Sequence, residues 1–154
     1  MKNIWSSIKS LLVVFPYEDD DQLKLFRKSL DKMLNSSNVD RLIVVVNIPK
    51  DVDKNTLPPH FLIYYNSSND FNFWGKLKDV QLEAELTRDF DVLLWFGDTD
   101  KKIYSQIQST AVQRKIIINQ DNPSFDLSLN AGSDAPDQML NFVIETLKKI
   151  TTNE

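Results

Sequence analysis

The sequence predicts an α/β fold, a three-layer sandwich on a mostly parallel sheet. Two observations carry this. Runs that are wholly or almost wholly apolar, such as Leu11 to Phe15 and Phe90 to Phe96 with its single Asp91, are the mark of strands buried on both faces. Between them lie segments whose apolar residues recur at helical spacing, as in Leu23, Phe26, Leu30, Met33 and Leu34, so helices are expected to cover both faces of the sheet. Right-handed crossovers then favour the strand order 3-2-1-4-5 with a sixth strand at the far edge, a Rossmann-like arrangement.

The elements follow in order. Leu11 to Phe15, stopped by Pro16, is the first strand, and Asp19 to Asp21 open the first long helix, where the macrodipole favours acids. That helix ends near Asn35-Ser36-Ser37-Asn38, and Arg41 to Ile48 is the second strand. Pro49, Pro58 and Pro59 make an irregular connection to a third strand, His60 to Tyr65. Asn66 to Lys78 reads as a loop, Val80, Leu82 and Leu86 as a short helix, and Phe90 to Phe96, closed by Gly97, as the fourth strand. Ile103, Tyr104, Ile107 and Ala111 give the next helix its buried face before a fifth strand, Lys115 to Ile118. Phe125 to Leu129 alternates apolar and polar, as a half-exposed edge strand does. Ser133 or Asp134 is the expected cap of the last helix, with Pro136 in its first turn and Met139, Leu140, Val143, Leu147 and Ile150 facing inward. The 154 residues suit one domain over 1–150, with 151–154 as a loose tail.

Composition narrows the function. Eighteen Lys and Arg stand against 22 Asp and Glu, a net charge of −4, whereas a nucleic-acid binder needs a basic footprint. Cysteine is absent and His60 is the only histidine, which removes thiol chemistry and Cys-ligated metal sites. The apolar run before Pro16 is too short for a signal-peptide core, and no other run approaches a membrane span. A soluble, cytoplasmic protein is the reading that results.

Ligands of a doubly wound sheet sit beyond the carboxyl ends of the strands where the order reverses, here with Tyr17 to Asp21 opposite Gly97 to Asp100. Three glycines, Gly75, Gly97 and Gly132, cannot spell a dinucleotide or P-loop fingerprint. Asp19 to Asp21, Asp98 and Asp100, and Asp134 and Asp137 are expected to neutralise the helix starts and repel phosphate. The same acids raise a rival reading, in which Asp19, Asp21, Asp98 and Asp100 hold Mg²⁺ for phosphoryl or glycosyl transfer. Against it stands the commoner role of such acids as N-caps and first-turn residues; otherwise no cofactor is expected. A phospho-acceptor receiver domain is rejected, because Phe96 and Gly97 close the relevant strand and Asn119-Gln120 follow the fifth. The remaining unusual segment is Phe71-Asn72-Phe73-Trp74-Gly75-Lys76. Its aromatics either fold back as a lid over a sheet edge or form a recognition surface.

Phe73-Trp74-Gly75-Lys76, Phe90-Asp91-Val92-Leu93-Leu94, Ala111 to Ile116 and Asp126-Leu127 resemble a small family of uncharacterised bacterial domains of unknown function. That family is itself distantly similar to the N-terminal half of heptosyltransferase-like glycosyltransferases, which would imply a single half acting with a partner chain. The expectation taken forward is a binding or interaction module, with Phe73, Trp74 and Lys76 as its recognition loop and Tyr17 and Asp98 at the strand tips. The partner would be a protein or a small molecule, with neither nucleic acid nor membrane involved.

Overall fold

The computed structural model describes residues 2–59, 62–99 and 101–152. Its strands are β1 (Ser10–Pro16), β2 (Arg41–Asn47), β3 (Ile63–Asn66), β4 (Phe90–Phe96), β5 (Val112–Ile118) and β6 (Leu127–Leu129). Its helices are α1 (Ile4–Ser7), α2 (Asp20–Leu34), α3 (Val80–Leu86), α4 (Lys102–Gln108) and α5 (Pro136–Lys149). The strands form one sheet in the order β3-β2-β1-β4-β5-β6, and every neighbouring pair is parallel. This is the predicted Rossmann-like order, with the parallel character extending to the sixth strand.

Strand periodicity sorts the core into two halves. Leu11, Val13 and Phe15 of β1 share one half with Val44 and Val46 of β2, Leu94 of β4 and Ile116 of β5, together with buried residues of α1, α2 and α5. Leu12 and Val14 belong to the other half, with Val45, Leu93, Trp95 and Ile117 and buried residues of α3 and α4. Each fully buried aliphatic side chain contributes about 1.5–3 kcal/mol relative to exposure.

Because both faces of β1 are apolar, alternation cannot set its register against β4. A polar pin does so at the amino ends. Asp91 Oδ2 accepts the N–H groups of Lys9 and Ser10 at 2.8 and 3.1 Å, and the Asp91 N–H donates to Ser10 Oγ at 2.9 Å. Asp126 repeats the device at the sheet edge, its Oδ2 accepting the Lys115 N–H at 2.8 Å while its own N–H donates to the Lys115 carbonyl.

Several elements depart from the expectation. The first residues form α1, whose Asn3 cap accepts the Ser6 N–H, and this short helix buries Ile4 and Trp5. β3 begins at Ile63, while His60 and Phe61 lie outside the described residues. α4 stops at Gln108, so Ala111 is exposed beyond it instead of lining its buried face. α5 is capped by Ala135 without a side-chain bond, because the Ser133 hydroxyl instead accepts the Ala135 N–H. Thr151 bridges Asn3 in antiparallel fashion, and the buried Thr152 donates its N–H to the Lys2 carbonyl, so neither trails as a loose tail. Among the described residues no helix is long and apolar enough to cross a membrane.

At the carboxyl ends, β1 and β4 meet through Pro16 and Gly97. Gly97 has φ +93°, and a Cβ built there would lie 2.9 Å from Pro16 Cγ. Gly97→Ala therefore combines left-handed backbone with a clash against a rigid ring, a cost of about 1–3 kcal/mol. Urea unfolding is expected to show a lower midpoint at unchanged m-value, and a wild-type midpoint would contradict the contact.

Candidate functional site

The Pro16–Gly97 contact closes the middle of the expected crevice and leaves a cleft on either side. The first, of about 410 Å³, lies over the ends of β1, β2 and β3, and Tyr17, Asn47, Asn66 and Asp98 are among its lining residues. Pro16 also borders the second, a cleft of about 190 Å³ lined on its far side by Asn119, Gln120 and Asp134. Asn119 takes the left-handed conformation, φ 62°. Its Nδ2 donates to the Ser133 carbonyl and its Oδ1 accepts the Ala131 N–H, so this residue ties the end of β5 to the loop before α5.

The predicted strand-tip residues divide between the first cleft and plain structural duty. Tyr17 lines the cleft, and its hydroxyl donates to Asp20 Oδ1 at 2.7 Å. That hydrogen bond, with desolvation and the charges of Asp20 and Asp19, pushes the phenol up to about 12, so it is a neutral group at physiological pH. Asp98 also lines the cleft, and its carbonyl accepts the Trp95 indole N–H at 3.3 Å. Asp19 caps α2 by accepting the Gln22 N–H at 2.8 Å. Neither Asp19 nor Asp21 lines either cleft, and Asp100 lies outside the described residues. Among the described residues no group of three or more His, Cys, Asp or Glu is placed to hold a metal ion.

Electrostatics differ from expectation at α4. α2 has its cap and first-turn acids, but α4 starts on Lys101 with no side-chain cap and no acid in its first turn. Among the described residues, Lys50, Lys101 and Lys102 line the first cleft together with two carboxylates, Asp51 and Asp98. Periodicity did not mark these lysines, nor Asn47 and Asn66. The available signal was the amide that ends each of two neighbouring aliphatic strands, Val46-Asn47 and Tyr65-Asn66.

The aromatic loop is a built hairpin. Ser67 and Asp70 form a reciprocal capping box around a turn of 3-10 helix, Ser68–Asp70, and Lys54 pairs with Asp70. Phe71 and Leu77 bridge in antiparallel fashion and are both buried, so of the loop's three aromatics Phe71 alone folds back onto the core. Between them, Asn72 Oδ1 accepts the N–H groups of Trp74 and Lys76 at 2.9 and 3.0 Å, and the Gly75 N–H donates to the Asn72 carbonyl. This turn lifts Phe73 and Trp74 away from the core, at 93% and 81% exposure. Their rings sit edge to face with centroids 5.3 Å apart, and Lys76 beside them is exposed. The first cleft and the hairpin share a wall, because Phe71 lines the former and anchors the latter.

Burial raises the Asp70 carboxyl, but Lys54 and the Ser67 N–H and hydroxyl outweigh it and hold the group below its ordinary 3.8. A carboxyl depressed on folding stabilises the native state above its unfolded pKa, and this contribution is lost as pH falls through the folded value. Asp70→Asn is thus expected to cost about 1 kcal/mol at neutral pH, less than the roughly 1.5–3 kcal/mol of a charged hydrogen bond because Lys54 is screened by solvent. In chemical melts from pH 7 to pH 2 the gap to wild type should hold above about pH 4 and then close. A gap independent of pH would contradict the assignment.

Residues 1–150 match the model of a family of unknown function (DUF6913), and the chain belongs to that family. No curated protein and no solved structure matches it. The resemblance to an uncharacterised family thus stands, and nothing in these comparisons links the chain to heptosyltransferases.

Proposed function

With membership of this family as the premise, we propose that residues 1–150 act as one binding domain that docks a protein partner through the Phe73–Trp74 hairpin tip. The observation that carries the reading is the display, on a hydrogen-bonded turn, of two large aromatic side chains that the core does not cover. Exposed apolar surface is unfavourable in water, and a tryptophan held outward in a hydrogen-bonded turn is the kind of group that dominates interface energy when a partner covers it. The Asn72 bonds order the tip before binding, which reduces the entropy lost on association. Lys76 supplies a cation at the rim and favours an acidic border around the receiving pocket.

A magnesium-dependent transferase built on Asp19, Asp21, Asp98 and Asp100 has less support, since Asp19 is committed to its cap. A lone half of a glycosyltransferase acting with a second chain rests on the sequence resemblance alone.

The test is photo-crosslinking from position 73 in the source cells, with a benzophenone amino acid in place of Phe73. A discrete protein adduct is expected. Trp74→Ala should reduce it at least tenfold, in line with the about 2 kcal/mol lost when an aromatic anchor is truncated, while the melting temperature stays at the wild-type value. No adduct, or an adduct that survives Trp74→Ala undiminished, would overturn the reading.

A further inference from the structure

Asn66 ends β3 and is 1% exposed. Its Oδ1 is buried without a hydrogen-bond partner, although the residue lines the first cleft. A buried acceptor with no donor is costly and rare in a finished core, and at the wall of a cleft it calls for a donor from outside. The backbone carbonyl of Asn66 accepts the Ile48 N–H at 2.8 Å, so the strand end is held by main-chain bonding while the side-chain acceptor stays unmatched.

Charge points the same way from different residues. Among the described residues, three lysines, Lys50, Lys101 and Lys102, and two carboxylates, Asp51 and Asp98, line the cleft, a local excess of cation in a chain with net charge −4. Among the described residues none of the three lysines is ion-paired. Lysines act as compact point charges and suit a phosphate dianion, whereas flat, two-point capture of a carboxylate favours arginine. The hydroxyl residues Ser67 and Ser68 and the apolar Pro49 and Phe71 complete a lining of mixed character. A volume of about 410 Å³ falls within the range of pockets that hold single metabolites.

We propose that the cleft over the carboxyl ends of β1, β2 and β3 binds a small phosphorylated sugar or polyol, with a ligand hydroxyl donating to Asn66 Oδ1 and the phosphate meeting Lys50, Lys101 and Lys102. Both halves of the ligand are needed. The hydroxyl satisfies the orphaned acceptor and the phosphate answers ammonium groups that have no carboxylate partner among the described residues, Lys102 having only the face of the Phe71 ring at 5.9 Å, so either part alone leaves one set of groups unmatched. This site goes beyond the docking role of the hairpin tip.

The test is a titration of the isotope-labelled protein, followed by backbone amide shifts, with ribose 5-phosphate, glycerol 3-phosphate, ribose and inorganic phosphate as separate probes. At least one phosphorylated probe should bind with millimolar or tighter affinity, and ribose and inorganic phosphate at least tenfold more weakly. The shifts should centre on Asn66, Ser67, Lys101 and Lys102 and leave Asn119 and Gln120 of the second cleft unmoved. Asn66→Leu should melt at or above the wild-type temperature and lose at least tenfold in affinity, a combination that a purely structural asparagine does not give. Asn66→Asp, which keeps the shape and adds a negative charge, is the second variant and should lose binding as well. The proposal is overturned if both phosphorylated probes leave the spectrum unchanged at 10-fold millimolar excess. It is equally overturned if inorganic phosphate binds as well as either of them, or if both Asn66 variants bind as wild type.

Discussion

The parallel pairing of β1 with β2 on one side and β4 on the other is the constraint from which the rest of the molecule follows. Val13 sits opposite Val44 in one neighbour and Leu94 in the other, and the chain must travel from β2 through β3 and α3 before it returns as β4. That reversal of direction across the sheet opens a space at the carboxyl ends, since the loops after β1 and β4 leave toward opposite faces. The register is held at both ends of the β1–β4 pair by different means. At the amino end Asp91 binds two successive backbone N–H groups, and at the carboxyl end Pro16 lies against a glycine that has no room for a side chain. The second contact divides the space into the two clefts.

How far this was legible in the residues depends on the physical signal behind each element. Strands buried on both faces need largely apolar runs, so β1, β2 and β4 declare themselves, and the handedness of crossovers carries their order. α1 escaped because four residues, Ile4–Ser7, are too few to show a helical period; its stability comes from burying Trp5 and Ile4. β5 starts at Val112, three residues before the expected Lys115, because backbone pairing with β4 extends through Val112 and the polar Arg114. The end of α4 was misplaced for the same reason that periodicity fails near any terminus: Ala111 continues the spacing but lies beyond the last turn.

The site residues were harder, and the acids show why. Carboxylates near helix starts carry no label that separates a ligand from a cap, and here Asp19 and Asp79 are caps. Asp91 and Asp126, which belong to the segments that bear the family resemblance, pin strands at the opposite end of the sheet from the clefts. The aromatic loop divided in the same manner. Phe71 is a core residue with 6% exposure, while Phe73, two positions on, is almost wholly in solvent. No composition rule distinguishes the two; the Asn72 side chain does, by turning the backbone between them. The lysine-lined cleft is a product of topology alone, since Lys50 follows β2 and Lys101 follows β4, and only the order of the strands brings them to one opening.

The most direct measurement of this account is the set of backbone nuclear Overhauser contacts across β1 in the protein in solution. The strand should show interstrand amide-to-α-proton contacts of parallel type on both sides at once, from Leu12 to Val14 toward Ile43 to Val45 and toward Leu93 to Trp95. Contacts on one side only, or the close α-proton pairs of an antiparallel ladder between β1 and β4, would remove the reversal point and with it both clefts.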